Sequence, residues 1–288
     1  MSRIKQPHLV PKFYLRFFEN KSGKIFAYDK ETNNQFPSTA DKICRNSGFY
    51  DIDSIEDPIN KQIIEHNLSD LETETSLVYD QIIQDIKNHK FGGFTDEIRS
   101  VLSKFILIQM RRTQESRVIG SELNNEIKRQ IIEKSSAAEA KDILENFDEF
   151  DPKSQQLYNL LSSFENPPTE LIDRVWVVHK NCSRHKFYTS DNPVVGIDLG
   201  KDFKTIYQIS IPLTPNYVLS IYIRKQIPEF VNWDNQIIDL DLENIKFYNS
   251  LILNRSNRQI YSCENDFRFA KKILEENPEM RNPYRRRI

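Results

Sequence analysis

The segment TDEIRSVLSKFILIQMRRT, residues 95–113, decides the fold. Thr95 offers a side-chain oxygen to the free N–H groups of a first helical turn. At about 100° per residue, Val101, Leu102, Phe105 and Ile108 then fall on one stripe, as the inward face of a helix requires. Gln109 and Arg112 fall inside that stripe, whereas Arg111 points away. Two polar side chains are therefore expected to face the interior, on a long helix that continues to Ile127 and Ile131.

Upstream of this segment, from Pro58, the residues Ile59, Ile63, Ile64, Leu68, Leu71, Val78, Ile82, Ile83 and Ile86 repeat with helical spacing, and Phe91-Gly92-Gly93 ends the run. Glu65, Glu72 and Tyr79 lie seven residues apart along one flank of that helix, which brings Glu72 into range as a partner for Arg112. Downstream, 138–147 and 154–164 carry weaker helical patterns before a break at Pro167-Pro168. Residues 58–170 thus read as a helical block. Before it, 1–57 are mixed, with strands at 24–29 and 48–52 and a short helix at 38–45. After it, 171–288 turn strand-rich: 175–178, 186–189, 207–211, 218–223 and 258–262 are β-branched and aromatic, with helices at 240–253 and 267–276. Segregated helices and strands give an α+β class: one domain over 1–288, with a central block of long helices packed on a mainly antiparallel sheet from the N- and C-terminal thirds.

Composition narrows the function. Hydrophobic residues at 38% and aromatic residues at 11% are enough for a packed interior. Forty basic against forty-two acidic side chains leave a formal charge of -2, so no global field draws the chain to nucleic acid or to an anionic membrane. Cys44, Cys182 and Cys263 are far apart, form no metal-ligand spacing and read as reduced fillers. Residues 1–11 lack the apolar core of a secretory signal, and apolar runs such as 105–108 are far too short to cross a bilayer, so a cytoplasmic location is expected. P-loop, GxGxxG, HExxH, EF-hand and zinc-ribbon patterns are all missing. The terminal Arg281, Arg285, Arg286 and Arg287 read as a solvated, mobile basic end, with RNA or DNA contact as the alternative.

Polar groups in apolar surroundings supply the candidate site. A buried Arg112 must meet a carboxylate, backbone carbonyls or an anionic ligand, because an unpaired guanidinium in the interior is very costly. His8 sits just before a proline-started apolar helix at 12–18, where an imidazole serves as base, acid or metal ligand, or as a structural hydrogen-bonder. The strand ending Thr189-Ser190-Asp191-Asn192-Pro193 presents hydroxyl, carboxylate and amide groups, either as site residues or as an Asx-type turn. Ser190 lacks the GxSxG context of a nucleophile elbow.

Taken in order, His-x-x-Pro-x-x-Tyr-Leu-x-x-Phe at 8–18, Gln-x-x-Arg-Thr at 109–113 and Thr-Ser-Asp-Asn-Pro at 189–193 resemble the DUF4238 family. Ile211-Pro212-Leu213-Thr214-Pro215, Asn249 and Arg258 to Ser262 look like its remaining landmarks. Pro7 before His8 departs from that pattern. The resemblance implies a microbial intracellular protein and points to His8, Gln109, Arg112, Asp191 and Asn192; it supplies no reaction.

The expected function is a hydrolase-like enzyme acting on an anionic substrate, nucleic acid or nucleotide, with a toxin or phage-defence role open to it. His8, Asp191 and Glu72 form the expected catalytic set, with His8 as general acid or base and Asp191 orienting it or holding a metal. Gln109, Arg112, Thr113, Ser190 and Asn192 bind the anion. No metal ligand set and no cofactor is read from the chain. The alternative is a non-catalytic binding or interaction module, with a protein partner open to it, whose polar groups form a buried structural network.

Overall fold

Thr95 does cap a helix, its Oγ1 accepting from the Ile98 amide at 3.4 Å. That helix is one of a series in the computed structural model, which describes residues 7–147, 151–166, 171–198, 206–224 and 228–287. In chain order the elements are α1 (Lys12–Arg16), β1 (Ile25–Asp29), β2 (Asn34–Ser38), α2 (Pro58–Lys61), α3 (Ile63–Lys87), α4 (Asp96–Arg111), α5 (Gln114–Lys134), α6 (Ala137–Phe147) and α7 (Pro152–Glu165). There follow β3 (Val175–Asn181), β4 (Thr189–Ser190), β5 (Val195–Asp198), β6 (Ile206–Thr214), β7 (Tyr217–Tyr222), β8 (Gln236–Leu240), α8 (Leu242–Arg255), β9 (Gln259–Ser262) and α9 (Arg268–Glu276). The α+β class holds. The break expected at Pro167-Pro168 lies outside the described residues.

The strands form two sheets. One has the order β2-β1-β9-β4 and joins the N-terminal hairpin to C-terminal strands; the other has the order β5-β6-β7-β3-β8. All pairings are antiparallel except β3 with β8, which is parallel. Tyr261 on β9 lies opposite both Ala27 and Thr189, so it locks the first sheet across its middle.

The largest apolar cluster draws on all three parts of the chain, among them Tyr14, Phe18, Tyr79, Phe105, Trp176 and Tyr261. A second cluster packs Phe49 and Tyr50 against Ile64, Leu68, Ile108 and Leu160. Two buried phenols tie helices to β6: Tyr14 Oη donates to the Pro212 carbonyl at 2.8 Å, and Tyr79 Oη to the Leu213 carbonyl at 2.8 Å. Each phenol buries its ring and still satisfies its hydroxyl, which is why large polar aromatics are tolerated there. Among the described residues, no helix is long and apolar enough to cross a membrane.

Several local expectations are corrected. The long helix from Thr95 does not run through to Ile131. It stops at Arg112, and Thr113 turns extended (φ -88°, ψ 162°) and caps α5 by accepting from the Ser116 amide at 3.2 Å. Helix α3 ends before the Gly pair, with His89 taking the left-handed backbone at φ 57°. The helix expected at 38–45 and the strand expected at 48–52 do not form: Ser38 ends β2, 40–44 and 47–50 are turns and bends, and Arg45 makes a single bridge with His8, with Ile43, Phe49 and Tyr50 buried as anchors. Of 186–189, only Thr189 lies in a strand. Cys182 is exposed rather than a buried filler.

The break at Thr113 sets the direction of Arg112. Thr113→Ala removes the α5 cap and is expected to cost about 1–2 kcal/mol, measured as a lower urea midpoint at unchanged slope.

Candidate functional site

Arg112 closes α4 from the inside. Its side chain is 2% exposed, and its guanidinium donates to Glu72 Oε1 at 2.8 Å and to the His8 carbonyl at 2.5 Å. Tyr50 completes the set: its hydroxyl donates to the Arg112 carbonyl at 2.5 Å and accepts from Nε at 3.4 Å. Burial works against the arginine charge, but Tyr50 and Glu72 more than offset it, so its pKa is raised. Gln109, one turn earlier and fully buried, donates to the Leu9 carbonyl at 3.1 Å. Gln109 and Arg112, at the C-terminal end of α4, thus both hold the segment His8-Leu9. On its other side that segment pairs with 44–46, the Leu9 amide donating to the Cys44 carbonyl at 2.8 Å.

The Asp191 turn is a second staple. Its carboxylate accepts from the amides of Asn257 (2.8 Å), Arg258 (2.7 Å) and Gln259 (2.8 Å), tying the end of β4 to the start of β9. Burial raises its pKa against those three bonds and against Lys30 nearby. Asn192 accepts from Thr113 Oγ1 at 3.2 Å and donates to the Arg255 carbonyl at 2.9 Å, linking the turn to the α4–α5 junction. Ser190, fully buried, uses its hydroxyl to accept from the Asn192 amide at 3.1 Å.

The expected residues therefore meet through main chain and short links, and their reactive ends point apart. Asp191 does not orient His8, because its oxygens are occupied by residues 257–259. His8 Nε2 instead lies 3.2 Å from the Ala40 carbonyl and 3.3 Å from Arg45 Nε. One nitrogen cannot serve both at once: protonated it donates to Ala40, bare it accepts from Arg45. Burial, then Arg45, lowers the His8 pKa and favours the neutral ring. Glu72 is committed to Arg112, and Arg112 to protein groups rather than to an anion. Among the described residues, no group of three or more His, Cys, Asp or Glu is placed to hold a metal.

Other charged groups at this centre were missed from the sequence. Glu65 is 5% exposed, its Oε1 finds no partner among the described residues, and burial pushes its pKa up to about 8 against the pull of Arg112. Its place on the Glu72 flank was legible; its depth was not. Lys30 is fully buried, donates to the carbonyls of Leu253 (3.2 Å) and Ser256 (2.8 Å), and is pushed down to about 7 by burial and Arg285. The arginine-rich end is docked rather than solvated. Arg287 grips Glu115 through Nε at 3.0 Å and Nη2 at 2.8 Å, with both side chains buried, and Arg281 donates to the Lys30 carbonyl at 3.2 Å.

Fold and site together define a class: an α+β protein whose two sheets and helical block are joined by a buried network centred on one arginine and one aspartate. Residues 6–266 match the model of the family described as a protein of unknown function, DUF4238, and the chain belongs to that family. No curated protein and no solved structure matches the chain.

Two outcomes follow for the network. Asp191→Ala leaves three amides without their acceptor; with about 1–3 kcal/mol for each of the two part-buried ones, Asn257 and Gln259, it is expected to lower unfolding stability by ~2 kcal/mol or more. For Glu65 the native pKa near 8 lies above the ordinary 4.5. The folded state therefore holds a proton that the unfolded chain releases, and stability declines as pH rises across that window. Urea midpoints measured at steps between pH 5 and 8 are expected to fall for the native chain and to flatten for Glu65→Gln.

Proposed function

We propose that the protein is a non-catalytic binding or interaction module, made rigid by a buried polar network. The observation that carries this reading is the commitment of Arg112 and Asp191. A guanidinium held by Glu72, Tyr50 and the His8 carbonyl, and a carboxylate holding three amides, have no reach left for a substrate. Buried networks whose charged groups are paired in this way rigidify a fold and fix its register. The family landmarks are then understood as joints: His8 to Phe18 is the segment stapled to α4, and the 211–215 landmark supplies the carbonyls that Tyr14 and Tyr79 bind.

One observation favours the hydrolase alternative. Glu65 sits beside Arg112 with a pKa near 8 and a free Oε1, and a protonated carboxylic acid at neutral pH suits general-acid work on an anionic ester. A toxin or phage-defence role is compatible with either class and draws support from no residue of the network.

The two readings separate on a paired measurement. For a binding module, His8→Ala and Asp191→Ala lower the melting temperature, and the purified native chain gives no hydrolysis of bis-p-nitrophenyl phosphate above buffer. Turnover of that ester that Glu65→Gln abolishes, in a variant that melts like the native chain, would establish the hydrolase instead.

A further inference from the structure

The chain has a formed cleft with a volume of about 360 Å³. It shares no residue with the network, so what it binds is a separate question from what the network does. Its walls come from three elements. After β3, Asn181 and Ser183 fold the chain into a tight turn, with Asn181 Oδ1 accepting from the Ser183 amide at 2.7 Å and Ser183 Oγ from the His185 amide at 3.2 Å. That turn presents Arg184, His185 and Lys186 in succession at the mouth. The second wall is one stripe of α8, Leu242, Ile245, Lys246 and Asn249, spaced as one helical face must be. The third is the first turn of α9 with Arg268, Phe269 and Lys272.

Asn249 shows that the wall is built and not incidental. Its Oδ1 accepts from the Tyr188 amide at 2.8 Å and its Nδ2 donates to the Lys186 carbonyl at 2.9 Å, so one amide clamps the strand edge against α8. The floor is apolar, with Tyr188, Ile245 and Phe269 among its residues. The rim is not. Five Lys and Arg line the cleft against two carboxylates, Glu264 and Asp266, in a chain whose net charge is -2. Asp266 is committed to Arg268 at 2.6 Å and Lys246 pairs with Glu243 at 2.7 Å. Arg184 and Lys272 are exposed and form no ion pair among the described residues. An apolar, partly aromatic floor under surplus cations suits a ligand with a flat apolar body and a doubly charged head.

We propose that this cleft binds a small aromatic phosphate of the nucleoside monophosphate type, the ring on the Tyr188–Phe269 floor and the phosphate between Arg184 and Lys272. The cleft volume falls in the range of small-molecule sites and is far below what a folded nucleic acid or protein partner occupies.

The test is calorimetric titration of the full chain with each of the four nucleoside monophosphates, and with adenosine and inorganic phosphate alone. Saturable one-to-one binding of at least one monophosphate, tighter than adenosine or phosphate, is expected. The double variant Arg184→Glu with Lys272→Glu, both at exposed positions, is expected to keep the native melting temperature and to weaken that binding on the order of tenfold or more. Phe269→Leu, which retains an apolar side chain, is expected to weaken monophosphate binding while leaving inorganic phosphate unaffected. No saturable binding of any monophosphate, or an affinity unchanged in the double variant, overturns the proposal. So does a single-stranded oligonucleotide that binds far more tightly than every monophosphate. These readouts concern the cleft alone; the network is judged by the melting of its own variants, so either reading can fail without the other.

Discussion

Burying the Arg112 guanidinium is the constraint around which the rest of the structure is arranged. A charge this deep is tolerable only when every donor finds an acceptor of good geometry, because the interior supplies no water to substitute. The acceptors come from far apart in the chain: Glu72 from α3, Tyr50 from the turn after 44–46, and a main-chain carbonyl at His8. Helix α4 must therefore end where it does. One more helical residue would carry the next side chain about 100° around the axis, and Thr113 prevents that by leaving helical geometry and starting α5. Tyr50 also takes the Arg112 carbonyl, one of the acceptors a helix end leaves open.

Asp191 does for the sheets what Arg112 does for the helices. Three consecutive amides converge on its carboxylate at the entrance to β9, the strand that joins the N-terminal hairpin to β4. Thr113 and Asn192 bridge the two centres, so the C-terminal end of α4 and the start of β9 are held by one continuous chain of bonds. Lys30 extends it: within electrostatic reach of Asp191 and Glu115, it donates to the carbonyls of Leu253 and Ser256 near the end of α8. Arg287 on Glu115 covers this region with a buried ion pair.

How far these features were legible follows from what carries them. Helices α3 and α4 were legible because a period of 3.6 in apolar residues is written directly in the chain, and the Glu72–Arg112 pair followed from the same geometry. Strand β2 was not, since Asn34 to Pro37 are exposed and include a proline, leaving no alternation to detect. Strand β8 has a similarly exposed pattern, and its parallel pairing with β3 depends on a connection that composition does not encode. Asp191 was recognised as special, yet its partners are main-chain amides, which every residue but proline possesses and which therefore leave no signature. The docked tail was missed for a related reason: Glu115 and Arg287 lie 172 residues apart, and an arginine-rich end has the same composition whether solvated or buried.

The same distinction separates the landmarks from the cleft. Arg112, Asp191 and Asn192 stand out in the sequence because polar groups inside apolar segments are rare, and the structural reason for that rarity is that each must be matched by protein atoms. A residue so matched is poorly suited to exchange its partners for a ligand, since every bond surrendered would leave a buried group unpaired. Cations on a cleft rim face the opposite situation. Arg184 and Lys272 are already in water, so an incoming phosphate displaces solvent and breaks no internal bond. Asn249 belongs to both worlds: it is a landmark, both ends of its amide are bonded, and what it holds is the wall of the cleft. Internal satisfaction and ligand binding are thus divided between different residues, with the rigid clamp at Asn249 shaping the wall on which the rim cations stand.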